Sequence, residues 1–138
     1  MAGNILLEVV TPEKAVVNEE VRTVVAPGVL GEFGVLIGHT PFLTTVKTGI
    51  IRYTDTDGKE RYLFVSGGFA EALPDKVTIL AESAERAGDI DVERAQAAIE
   101  RAEKRLAEKD KKEQIDRVRA NAALQRAMVR VKIANTRM

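Results

Sequence analysis

Residues 86–106 read RAGDIDVERAQAAIERAEKRL, and the fold of the chain turns inside this stretch. Gly88 is the last of ten glycines, and the four prolines have ended earlier, at Pro74. Beyond it, Val92, Ala95, Ile99, Ala102 and Leu106 recur by steps of three and four, which is one face of an α-helix. Asp91 is placed to cap that helix, with Ile90 stapled onto Ala95. The seam fades through Lys109–Gln114. It resumes at Ile115, Val118, Ala122, Val129 and Ile133, with Gln125 interrupting it; Leu124, Met128 and Val131 make an adjoining stripe. The charged run near Lys111 is the natural turn of a hairpin, but no Gly or Pro enforces it. The same residues propagate helix well, and as one rod of about 45 residues they would span about 70 Å. An alanine-rich seam gains little burial per residue. The folded-back and extended forms are therefore expected to lie within a few kcal/mol of each other, a gap that a small ligand can decide.

Upstream of Gly88 the pattern changes. Short β-type runs recur at Ile5–Val10, Val21–Ala26, Val35–Ile37, Phe42–Val46, Ile50–Tyr53, Arg61–Val65 and Val77–Leu80. Between them lie turn signals such as Thr11-Pro12, Pro27-Gly28, Asp57-Gly58 and Gly67-Gly68. Such spacing predicts an antiparallel β-sandwich or flattened barrel, with a hairpin at Thr54–Gly58. The expected organisation is thus β + α. Residues 1–87 form an N-terminal antiparallel β-sandwich, and residues 88–138 form a C-terminal two-helix hairpin able to extend.

Composition narrows the chemistry. Apolar residues are 45% and charged residues 30% of the 138, a globular balance. There is no cysteine, which removes thiol catalysis and cysteine metal sites. No apolar run approaches the roughly 20 residues that span a bilayer, so direct membrane insertion is not expected. The single histidine, His39, sits in Gly38-His39-Thr40-Pro41 without a converging partner; no catalytic constellation and no metal site is predicted. Gly28–Gly34 lacks the Gly-Lys-Ser/Thr ending of a phosphate loop and reads as a tight glycine loop. Its apolar neighbours, among them Leu30, Phe33, Leu36 and Phe42, point to a contact patch for a partner.

The zero net charge conceals a split. Residues 1–87 carry 12 acids and 8 bases, and residues 88–138 carry 9 acids and 13 bases. After Asp116 every charged side chain is basic. Such a helix suits an anionic partner: nucleic acid, lipid head groups, an acidic protein surface or a phosphate ligand. A hairpin turning near residue 111 sets Arg126 level with Gln96 and Arg130 level with Val92. Asp91, Arg94, Arg126 and Arg130 then gather at its open end. That cluster reads either as solvated surface arginines beside a capping aspartate, or as a site for a phosphate-type anion at a helix N-terminus.

Gly31-Glu32-Phe33-Gly34-Val35-Leu36, Gly38-His39-Thr40-Pro41, Ser66-Gly67-Gly68-Phe69-Ala70-Glu71 and Val77-Thr78-Ile79-Leu80 occur in the order and spacing of one family. Over essentially its whole length the chain resembles the epsilon subunits of bacterial F-type ATP synthases. The resemblance implies a non-catalytic, regulatory subunit of the central stalk, bound to the gamma subunit and the c-ring and coupling proton-driven rotation to ATP synthesis. It implies a peripheral position on the cytoplasmic face of the bacterial cell membrane. In the extended form the helices would reach the catalytic beta subunit and inhibit ATP hydrolysis. Glu32, Phe33, His39 and Pro41 are the expected partner contacts.

The ATP-binding members of that family, as in thermophilic bacilli, carry Ile-Asp-x-x-Arg-Ala at the start of the first helix. It stands here as Ile90, Asp91, Arg94 and Ala95, with Glu85 upstream, Arg101 in Glu100-Arg101-Ala102-Glu103, and Arg126 and Arg130 in the second helix. The resemblance implies ATP as a regulatory ligand that favours the folded-down state. Arg94, Arg101, Arg126 and Arg130 would surround the phosphates, and Ile90, Asp91 and Ala95 would line the base and sugar end. Gly88 and the basic Lys109–Lys112 depart from the pattern. The competing reading is a nucleic-acid-binding module using the basic C-terminal helix. It predicts salt-sensitive DNA or RNA binding, for which the β module offers little aromatic stacking surface.

Overall fold

The computed structural model describes residues 3–108 and 114–136. The β-branched and aromatic runs form seven strands: β1 (Ile5–Val10), β2 (Ala15–Gly28), β3 (Gly31–Val35), β4 (Phe42–Thr45), β5 (Gly49–Asp55), β6 (Glu60–Leu73) and β7 (Lys76–Arg86). A 3₁₀ turn, Ala87–Asp89, leads into α1 (Val92–Ala107), and α2 spans Gln114–Thr136. The expected turn at Lys109–Lys112, the Ile115 side chain and Arg137 lie outside the described residues.

The sheet runs β1–β7–β6–β5–β2–β3 and closes, because β1 also pairs with β2; β4 adds to β6. Two 14-residue strands make this possible. The first half of β2 pairs with β1 and its second half with β5 and β3, while β6 pairs with β5, β7 and β4. The result is the expected sandwich, antiparallel except where β1 runs parallel to β7. Alternate residues face inward, as the two-residue strand period requires: Ile5, Leu7 and Val9 from β1, Leu63 and Val65 from β6, Val77 and Ile79 from β7. The predicted hairpin joins β5 and β6, with Gly58 at φ +88°. Asp55 holds it by accepting from the Asp57 and Lys59 amides and from Arg61 Nε, at 2.9–3.0 Å.

The sequence pattern predicts a glycine loop at Gly28–Gly34 and a strand at Val35–Ile37. Instead Gly31–Val35 is β3, paired residue by residue with Val24–Gly28. Only Gly31 of that stretch has positive φ. Glycine here permits close packing: a side chain on Gly28 would stand 2.9 Å from the Gly31 carbonyl oxygen.

A second, smaller cluster lies outside the sandwich. Phe64 points away from the core that Leu63 and Val65 enter, yet it is fully buried. It is covered by Ile133, with Ile90, Ala87, Ile50, Tyr62, Val129 and Ala134 around it. The last turns of α2 thus dock on the outer face of β5 and β6, and α1 packs along α2. Ile90 joins this docking cluster. A hairpin centred near residue 111 sets Ala95 level with Ala127 and Ala102 with Ala120, and all four are buried. The α1 seam is as expected at Ala95 and Ala102. The expected α2 seam holds at Val129 and Ile133, which dock on the sandwich, but not at Val118 and Ala122, which are exposed, as is Met128 of the adjoining stripe; Ala120 and Ala127 face inward instead. Alanine lets two helices approach closely, so the small residues and not the large ones take the interface.

Candidate anion-binding site

Where β7, α1 and α2 meet, they enclose a cleft of about 590 Å³. β7 contributes Glu82–Glu85. α1 contributes Asp91, Arg94, Ala95, Ala98 and Arg101, and α2 contributes Ala123, Arg126, Ala127 and Arg130. The helical positions follow from period: Arg94, Ala98 and Arg101 share one face of α1, and Ala123, Arg126, Ala127 and Arg130 one face of α2. The buried alanines hold the helices close, and the longer arginines emerge from the same faces into the cleft.

Of the residues expected to bind ATP, Glu85, Asp91, Arg94, Ala95, Arg101, Arg126 and Arg130 are brought together here. Ile90 is not a lining residue; its side chain lies in the cluster beneath α2. Sequence reasoning missed the floor from Glu82, Ser83 and Ala84, because β7 extends well beyond the run read as Val77–Leu80. It also missed Thr11, Glu13 and Lys14 of the β1–β2 turn, which line the cleft's edge. The signal was the Thr11-Pro12 turn itself, but nothing local tells which cleft a turn will border.

Two groups at the site already have partners. Asp91 caps α1, accepting from the Arg94 amide at 3.0 Å. Arg130 Nε donates to Glu85 Oε1 at 2.5 Å, and its guanidinium carbon lies 4.1 Å from the Phe64 ring centroid. Arg130 therefore ties α2 to β7 and β6 at once. Among the described residues Arg94, Arg101 and Arg126 make no ion pair. Three unpaired guanidinium groups around one cleft, beside the start of α1, leave a positive excess that phosphate oxygens suit by geometry and charge.

The expected contact residues lie away from this cleft. Phe33 packs edge-on against Phe42 with ring centroids 5.1 Å apart, and His39 lies 5.1 Å from Phe42. His39 Nδ1 hydrogen-bonds the Thr40 carbonyl, and Glu32 Oε1 is 3.6 Å from Arg52 Nη2. Pro41 is exposed. Around them Val29, Leu30, Leu36 and Leu43 are more than half exposed, an apolar surface that serves no purpose inside this chain. No helix among the described residues is long and apolar enough to cross a membrane.

Residues 4–87 match the family described as ATP synthase, Delta/Epsilon chain, beta-sandwich domain, and residues 89–135 match its long alpha-helix domain. The ATP synthase epsilon chain of Desulforapulum autotrophicum is 61% identical over 99% of this chain and 100% of its own length. That of Nitratidesulfovibrio vulgaris strain DP4 is 53% identical over 96% and 97%. A chain in the Euglena gracilis mitochondrial ATP synthase, in the OSCP/F1/c-ring structure, superposes with a TM-score of 0.80 at 25% identity, covering 97% of this chain and 82% of that one. Full-length matches to bacterial epsilon chains, on a β-sandwich followed by two helices, place this chain in the ATP synthase delta/epsilon family as an epsilon subunit.

Proposed function

We propose that the chain is a non-catalytic subunit of the ATP synthase central stalk that couples rotation to ATP synthesis, and that its hairpin is a nucleotide-gated brake. The observation that carries the gating is the cleft. Its arginines come from two helices and its floor from β7, so the site exists only while the hairpin is folded on the sandwich. A ligand bound there stabilises the folded form by mass action, because the extended form has no such site to offer. ATP is the proposed ligand, its phosphates among Arg94, Arg101, Arg126 and Arg130. Released, α1 and α2 extend toward the catalytic beta subunit and block hydrolysis.

The apolar surface around Phe33, His39 and Leu30 is the proposed seat of the gamma subunit and c-ring. The Euglena neighbour is found in an OSCP/F1/c-ring assembly, which supports a c-ring partner. Held by those partners, the chain sits peripherally on the cytoplasmic face of the membrane.

The test is hydrogen exchange of the purified subunit with and without ATP. α1 and α2 gain protection at millimolar ATP, and Arg126→Ala weakens it. Unchanged exchange removes the ligand. ATPase assay of the complex lacking residues 89–138 tests the brake separately: hydrolysis rises if the tail inhibits and stays the same if it does not.

A further inference from the structure

The cleft has a wall that the hairpin arginines do not explain. All four arginines sit on α1 and α2, whereas the sandwich side carries Glu82, Glu85, Glu13 and a single cation, Lys14. An anion held by the arginines alone would touch the sandwich only indirectly, through Arg130, which Glu85 and Phe64 hold in place. Its binding would report that the two helices are paired, and only weakly that they are docked, since a ligand shifts an equilibrium by no more than its differential contacts. Lys14 is the one place on the sandwich wall where a phosphate oxygen finds a positive partner. It is exposed, and among the described residues it has no carboxylate partner.

The turn that presents Lys14 is built. The Thr11 hydroxyl accepts from the Glu13 and Lys14 amides at 3.2 Å each, and the Thr11 amide donates to the Lys14 carbonyl at 2.9 Å. Such a Thr turn fixes the backbone without help from neighbours. β1 on one side and β2 on the other anchor it to the sandwich core.

We propose that Lys14 is the sandwich's own phosphate ligand, and that it converts the nucleotide from a pin between two helices into a clamp between hairpin and sandwich. This rests on ATP being the cleft's ligand. Charge-assisted hydrogen bonds of this kind are worth about tenfold in affinity at a partly exposed site.

The chain has no cysteine, so two can be introduced and labelled for energy transfer, one at Glu71 on β6 and one at Val118 on α2. Docking is then followed during ATP titration of the full chain. Lys14→Ala is expected to need about ten times more ATP for half-maximal docking, and Lys14→Arg to restore the response. An unchanged midpoint in Lys14→Ala overturns the proposal while leaving the nucleotide site standing. A wild-type chain that does not respond to millimolar ATP overturns both. Loss of docking in Lys14→Ala without ATP, or failure of Lys14→Arg to restore the midpoint, also overturns it, since a structural role for the turn would do that.

Discussion

Truncating Ile133 separates the stability of the hairpin from that of the sandwich. Ile133 is fully buried, but only in the small cluster formed with Phe64, Ala87 and Ile90, and it touches none of the sandwich interior. Ile133→Ala removes three buried carbons. At about 0.8 kcal/mol each, the transfer loss is about 2.4 kcal/mol. The cavity left against the Phe64 ring adds to this, within the range of about 2–5 kcal/mol known for such truncations. The ratio of docked to undocked hairpin should therefore fall by about 30- to 4000-fold, at about 1.4 kcal/mol per factor of ten. A docking free energy of a few kcal/mol would be largely cancelled. Amide hydrogen exchange at single-residue resolution reads this directly. Amides of α1 and α2 should exchange faster, while those of β6 and β7 that pair inside the sandwich, such as Val65 and Ile79, should keep their rates. If exchange in the strands accelerates by the same factor as in α2, helices and sandwich unfold as one unit. The idea of a detachable hairpin is then wrong.

Three further substitutions test other parts of the fold. Gly68→Ala should cost at least about 2 kcal/mol in a urea titration, because φ is +122° and the new Cβ would lie 2.0 Å from the Leu80 carbonyl oxygen. Burial, and then the hydrogen bond it donates to Glu19 at 2.6 Å, push the Tyr53 phenol up to about 12. The folded chain thus keeps a proton that the unfolded chain releases near pH 10, so stability held below that pH is lost between about pH 10 and about 12; alkaline unfolding of Tyr53→Phe should be flatter across that window. The Lys59 amide above all, with Arg61 and the Asp57 amide, holds the Asp55 carboxyl below its usual range. Its contribution is present above the unfolded value near 4 and is lost as pH falls through the lower folded value. Acid titration of Asp55→Asn should therefore start from lower stability and fall less steeply below about pH 4.

Local pattern made much of this legible. The alternating runs named the strands, Asp57-Gly58 named the β5–β6 hairpin, and Asp91 named the start of α1, each through residue types whose preferences act within a few positions. What escaped was set by distant partners. Gly67 and Gly68 read as a break, yet β6 runs through them to Leu73, because Ser66 and Gly68 remain paired with Ser83 and Ala81. The α2 face is half legible for a related reason. Hydropathy marks Val129 and Ile133, which do dock on the sandwich, but it also marks Val118, whereas the register against α1 selects Ala120 and Ala127, which no property of α2 alone reveals. The cleft was legible in its arginines and illegible in its floor. The helix period assigns Arg94, Arg101, Arg126 and Arg130 to faces, whereas the position of Lys14 depends on where a closed sheet brings the β1–β2 turn.

The order of contacts also constrains how the hairpin can move. α1 packs mainly on α2, and α2 alone carries the main docking contacts to β5, β6 and the 3₁₀ turn. Detaching α2 from Phe64 therefore frees α1 with it, but separating α1 from α2 along the alanine seam need not disturb the sandwich. Extension into a rod requires both losses. The cleft touches β7, α1 and α2, so its occupant opposes both steps, and Arg130 opposes the first even without a ligand through Glu85 and Phe64. The Arg130 contacts are partly exposed and worth about 1 kcal/mol each. They bias the empty protein toward the folded form without locking it there, which leaves the larger share of the decision to whatever fills the cleft.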